Sequence, residues 1–218
     1  MTASALPLIA VVVFYGLGFG WRTWVQIRRY GSTGIVLFRS GRPGQDLREA
    51  LFLVLAAALL AEATLAAVAP GRLPGLVPLA PATTAVLRAT GIVVVLGATT
   101  LMLAAQLHLG ASWRVGIDEG ARPGLVARGL YRYSRNPIYV AMLTALLGFA
   151  LLLPTWISLI LLIGAGIGVR RHVTDEEAYL ARAYGEEYRC YAARVGRFVP
   201  GVGRLRPPPS TALTPAHE

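Results

Sequence analysis

The sequence contains no lysine and a single cysteine, Cys190. One cysteine excludes an intramolecular disulfide and a CxxC-type metal site. Histidine is nearly as scarce. His108, His172 and His217 are the full complement, with no HExxH-like pairing, and this argues against a structural metal. Charge is also in short supply: 15% of the 218 residues are charged, against roughly a quarter in a soluble domain. There is too little polar surface to wet a soluble fold of this length. The amino-terminal MTASALPLIAVVVFYGLGF has no basic region ahead of its apolar run and no small-residue cleavage site after it. It reads as a retained anchor rather than a leader.

What is present is apolar. Hydrophobic residues make up 55% of the chain, and mean hydropathy is +0.57. Crossing the hydrocarbon core as a helix takes about 20 apolar residues. Candidate spans are Leu6 to Val25, Ala50 to Ala69, Ala85 to Leu109, Ile138 to Leu153 and Thr155 to Val169. The last two are short and separated only by Pro154, which predicts a tight helical hairpin or a pair of tilted helices. The fold class expected is an all-α integral membrane protein of about five transmembrane helices.

The formal net charge is +10, all of its basic side carried by arginine. Such a balance suits nucleic acid or a membrane surface, and here the arginines sit between apolar runs, which favours the membrane and no nucleic acid. Arg22, Arg28, Arg29, Arg39, Arg42 and Arg48 lie around the first connection. Arg114, Arg122, Arg128, Arg132 and Arg135 precede the fourth span, and the carboxy-terminal portion from Arg170 to Arg206 holds the rest of the main groups. The other side has only Arg72 and Arg88. By the positive-inside rule, five spans with the N-terminus outside put all three basic segments in the cytoplasm. The arginine-only, alanine-rich composition fits a bacterial inner membrane.

Gly16 and Gly20, and Gly164 and Gly168, have the GxxxG spacing that lets membrane helices pack closely. Beyond the last span, TDEEAYLARAYGEEYRCYAARV reads as a cytoplasmic amphipathic helix, with Thr174 as cap and Glu177 closing a capping box. In that reading Asp175, Glu176 and Glu177 gain roughly 0.3–1 kcal/mol each from the helix N-terminus. Leu180, Tyr184, Tyr188, Tyr191 and Val195 form one stripe, and Gly185 marks a bend. Residues 1–200 form one domain, and the proline-rich 201–218 reads as a disordered tail.

GLYRYSRNPIYV, then a helical hairpin, then RRHVTDEEAYLARAYGEEYRCYAARVGRFVP resembles the isoprenylcysteine carboxyl methyltransferase family and its bacterial relatives, a group that includes phospholipid methyltransferases. The resemblance runs from about Leu107 to Pro200. Its corner is Gly129, Tyr131, Arg135, Asn136, Pro137 and Tyr139; its acidic pair is Glu176 and Glu177; its later helix carries Gly185, Glu186, Glu187, Tyr188 and Tyr191. Asn136 stands where the family has histidine, and an amide cannot take up a proton near neutral pH.

The resemblance implies S-adenosylmethionine as methyl donor and S-adenosylhomocysteine as product, bound in a cytoplasm-facing pocket. It implies that Arg132 or Arg135 pairs with the donor's carboxylate, and that Glu176 or Glu177 receives its ammonium or ribose. Tyr131, Tyr139 and Tyr184 then bracket the adenine or sulfonium, with Asn136 and Pro137 shaping the corner. Asn136 and Arg171 are the residues it places nearest the reaction, Arg171 holding an acceptor carboxylate. The acceptor is expected to be a hydrophobic or amphipathic carboxylate, thiol or lipid head group. Two other classes fit parts of the pattern: a scaffold that keeps the fold without catalysis, and an NADPH-dependent sterol-reductase-like enzyme.

Overall fold

The computed structural model describes residues 5–39, 42–116 and 124–206. Arg122, His217, the residues Ile117 and Asp118 and the tail beyond 206 lie outside the described residues. The described chain is five helices: α1 (Leu6–Tyr30), α2 (Pro43–Val68), α3 (Pro81–Leu109), α4 (Pro137–Leu152) and α5 (Trp156–Arg194). The first four carry proline in the first turn, where its missing N–H costs nothing and its fixed φ favours the helix. In α5, Thr155 is the cap, accepting from Ser158 N.

Four helices are long and apolar enough to cross a membrane, and α4 is a shorter apolar one. Its 16 residues span about 24 Å at 1.5 Å per residue, short of the ~30 Å core. The turn at Pro154 therefore has to satisfy its backbone within protein. The connection between α2 and α3 does this: Val77 N donates to Pro154 O (3.0 Å) and Trp156 N to Gly75 O (3.1 Å). Beside them the buried Glu62 of α2 accepts hydrogen bonds from Thr155 Oγ1 and, at 3.0 Å, from Ser158 Oγ. Both arginine-rich connections and the chain after Val169 lie at the opposite end.

The close helix approach is made by different glycines from those the GxxxG spacing suggests. A Cβ at Gly91 of α3 would lie 2.8 Å from Gly148 O, and one at Gly148 of α4 would lie 2.6 Å from Val95 Cγ2. Gly16, Gly20 and Gly164 face open space instead, while Gly168 does meet a neighbouring helix, a Cβ there lying 3.4 Å from the Phe52 ring of α2. In α1 the glycine-rich GLGFGW, Gly16–Trp21, widens into a π-helix, which turns Gly18 inward against Met102 and leaves Gly16 and Gly20 on the outside.

The second correction concerns α5. Thr174 caps nothing: it lies inside a 39-residue helix, its Oγ1 donating to Arg170 O at 2.9 Å. No breaker separates the span from TDEE, so the helix that crosses the apolar layer continues beyond it, ~43 Å from Trp156 to Tyr184. Asp175, Glu176 and Glu177 are mid-helix and receive no help from a helix N-terminus. The break comes at Gly185, with φ 54° and ψ −121°. Past it, Tyr188, Tyr191, Ala192 and Val195 form a small core with Leu180 and Tyr184 packed against it, so the expected stripe is present. Residues 201–206 are tied back, Leu205 N donating to Ala192 O at 3.0 Å.

Candidate functional site

The corner is built by backbone constraints. Gly129 has φ 60°, and a Cβ there would lie 2.4 Å from His108 Cδ2. That opens the 3-10 turn Gly129–Arg132, which Tyr191 fastens from below by donating its hydroxyl to Tyr131 O at 2.7 Å. Arg135 N then donates to Gly196 O (2.9 Å), and Pro137 starts α4. Arg135 and Asn136 are thereby delivered, both buried, to the junction of α4 with the end of the chain.

Every donor of the Arg135 guanidinium is committed to protein. Nε donates to Glu177 Oε1 at 2.9 Å, Nη1 to Ala192 O and Val195 O, and Nη2 to Gly203 O and, at 2.8 Å, to Glu177 Oε1. The other Glu177 oxygen takes Arg197 Nη2 at 2.7 Å, while Asn136 Nδ2 donates to Arg197 O at 3.1 Å. Arg135, Glu177 and Asn136 thus bind the last described turn of chain under the corner. No donor of Arg135 is left for a ligand carboxylate.

Above this clamp lies a cavity of about 580 Å³. Its polar end is lined by Tyr131, Asn136, Tyr139, His172, Glu176 and Tyr184. Tyr139 donates its hydroxyl to Glu176 Oε2 at 3.2 Å, and His172 packs edge-on against Tyr139 (5.7 Å between centroids) and Phe52 (5.8 Å). Burial, aided by the nearby Glu176 and Tyr191, pushes the Tyr131 phenol well above its ordinary range, so it remains a hydroxyl. An apolar arm runs inward past Leu55, Met142, Leu146, Phe149 and Phe14.

Two connections roof the site. Val36 N donates to Val115 O (2.9 Å) and Val115 N to Gly34 O (2.8 Å), a two-residue ladder between residues 34–36 and 113–115. Glu49 of α2, buried and on the cavity wall, accepts from Phe38 N at 2.6 Å and from Gln45 Nε2 at 2.9 Å. It holds Phe38 in the left-handed region, φ 60°. Arg22 is no surface anchor: it is 1% exposed, its Nη2 donates to Gly110 O at 2.6 Å, and its guanidinium lies 4.7 Å over the Trp113 ring on the cavity wall.

Of the residues chosen from sequence, Tyr131, Arg135, Asn136, Tyr139, Glu176, Glu177 and Tyr184 come together on this cavity. Pro137 is buried just behind it. Arg132 and Arg171 are exposed and off the wall; Arg132 stacks on Tyr133, 4.5 Å from the ring centroid, because the 3-10 turn points it outward. Glu49, His172 and Trp113 are wall residues that sequence reasoning missed. An acid in the first turns of an oily span, and a histidine four residues before Glu176 on the same helix face, were the available signals.

Residues 86–187 match the family model described as phospholipid methyltransferase, of the same membrane-methyltransferase type as the resemblance. The match runs from α3 through the corner and α4 to Glu187 in α5, so it holds both the Tyr139–Glu176 and Arg135–Glu177 pairs, while α1 and α2 lie outside it. No curated protein matches the chain.

Proposed function

We propose that this chain is a membrane methyltransferase that takes its methyl group from S-adenosylmethionine and acts on an amphipathic acceptor at the arginine-rich, cytoplasmic end of the bundle. The observation that carries this is the meeting of Tyr139 with Glu176 on one cavity, both inside the matched stretch. The lining suits such a donor. A carboxylate set among the rings of Tyr131, Tyr139 and Tyr184 is a site for a cation, and the volume lies within the range of small-ligand pockets. When bound, the donor supplies an electrophilic methyl carbon on a positively charged sulfur.

The residues divide the remaining work. Glu176 and the three tyrosines hold the cation, Arg135 with Glu177 and Asn136 holds the floor, and the roof from 34–38 and 113–116 keeps water out, which favours an in-line displacement. The apolar arm receives the acceptor's hydrocarbon, entering from the bilayer while its head group stays at the polar end.

The test is calorimetry on the detergent-purified protein with S-adenosylhomocysteine and, separately, NADPH. Binding of the first and not the second is expected. Binding of NADPH alone would overturn the reading in favour of a reductase, and binding of neither would leave a scaffold.

A further inference from the structure

We propose that His172 is the proton acceptor of this cavity, taking the proton released when an O–H or N–H group of the acceptor is methylated. The inference rests on the methyl-transfer reading above. His172 is 5% exposed and lines the cavity one helical turn before Glu176. Its ring is fixed by edge-on packing against Phe52 from α2 and Tyr139 from α4. Nδ1 is sealed with no protein partner. With the hydrogen on Nδ1 the lone pair is on Nε2, the nitrogen left to serve the cavity.

The surroundings single out this group. Among the described residues His172 is the sole imidazole on the cavity wall; His108 lies behind Gly129. Asn136, at the corner, is an amide and is engaged with Arg197 O. The titratable groups beside the imidazole are Tyr139 on α4 and Glu176 on its own helix, and Glu49 on α2, Arg114, Tyr131, Arg135 and Glu177 share the cavity wall. Glu49 is occupied by Phe38 N and Gln45, and Glu176 by the Tyr139 hydroxyl. The Glu176 carboxyl, one helical turn from His172 on the same wall, is placed to stabilise an imidazolium, as an adjacent carboxylate does.

The step balances. The acceptor's lone pair forms the new bond to the methyl carbon, the carbon–sulfur pair stays on sulfur, and the acceptor's proton passes to Nε2. One positive charge on sulfur is lost as one on imidazole appears. The acceptors this favours are phenols, alcohols and uncharged amines. A carboxylate, already ionised, gains nothing from it.

The test uses the full chain in detergent, labelled S-adenosylmethionine, and two probes of similar length: 4-dodecylphenol, which has a proton to lose, and dodecanoate, which has none. His172→Gln is expected to slow the phenol by about 10²-fold or more, the usual contribution of a positioned base. It should also remove the acid limb of kcat/KM while leaving dodecanoate unchanged, and His172→Phe should behave likewise. Apart from turnover, calorimetry should show S-adenosylhomocysteine binding unaltered in both variants. The ring ¹⁵N signal that vanishes in His172→Gln should change protonation with pH while S-adenosylhomocysteine and 4-dodecylphenol are bound. Equal loss on both probes, an unchanged phenol rate, a wild type that methylates dodecanoate alone, or a ring signal that never changes would each overturn the proposal. A wild type that does not bind S-adenosylhomocysteine would overturn the methyl-transfer reading, and this proposal with it.

Discussion

Arg135, on the turn before α4, and Glu177, in the middle of α5, form a buried ion pair in which both residues are also tied to the end of the chain. Removing either partner strands a charge out of water, at a cost of ~3–5 kcal/mol. Arg135→Ala and Glu177→Ala should each lower the unfolding free energy in detergent by an amount of that order, with a lower unfolding midpoint, and expose residues 196–206 to protease. Arg135→Lys should recover only part, because an ammonium has three donors where the guanidinium uses five. Wild-type melting and protease resistance in either alanine variant would refute the clamp.

Glu176 offers a separable effect. In Glu176→Gln the amide oxygen still accepts from Tyr139, but the negative charge is gone. A charge-assisted contact is worth about 1.5–3 kcal/mol, so S-adenosylmethionine, which carries the cation, should bind roughly 10- to 100-fold more weakly with little change in melting temperature. Calorimetry decides this, and unaltered affinity would remove Glu176 from the proposed site.

Gly129 is where a methyl group is forbidden twice, by a φ of 60° and by His108 Cδ2 at 2.4 Å. The backbone penalty alone is about 1–2 kcal/mol. Gly129→Ala should therefore destabilise the fold, and adding His108→Ala should restore the steric part only. If the double variant melts like wild type, the left-handed conformation carries no cost.

The apolar arm makes a prediction about length. Met142→Trp and Leu146→Trp put bulk into it and leave the polar end untouched. S-adenosylhomocysteine should bind as before, while the labelled products formed from a total lipid extract shift towards shorter hydrocarbon chains. An unchanged product profile would place the acceptor elsewhere.

Much of this architecture is legible in the residue order. The oily runs, Pro154 and the arginine-rich connections predict the spans and the hairpin, and Gly185 predicts the bend. The motif order brought Tyr139 and Glu176, and Arg135 and Glu177, to one place. What sequence could not supply was depth and direction. Thr174 followed by DEE has the composition of a helix start, yet nothing ahead of it stops the preceding helix, so Thr174 bonds back to Arg170. Arg22 and Arg132 look alike as surface anchors. One is buried over Trp113 and the other turned outward by a 3-10 turn, a difference set by partners remote in sequence. Gly91 and Gly148 share no spacing rule because they meet across two helices.

The clamp also sets an order of assembly. Arg135 is bound by carbonyls made 57 to 68 residues after it, in the last turn of α5 and beyond it. Until Gly203 leaves the ribosome the guanidinium keeps unpaired donors and the floor stays open. A chain stopped at Val195 would have every span and an open floor, so the short segment from Gly196 to Gly203 completes the site for the whole molecule.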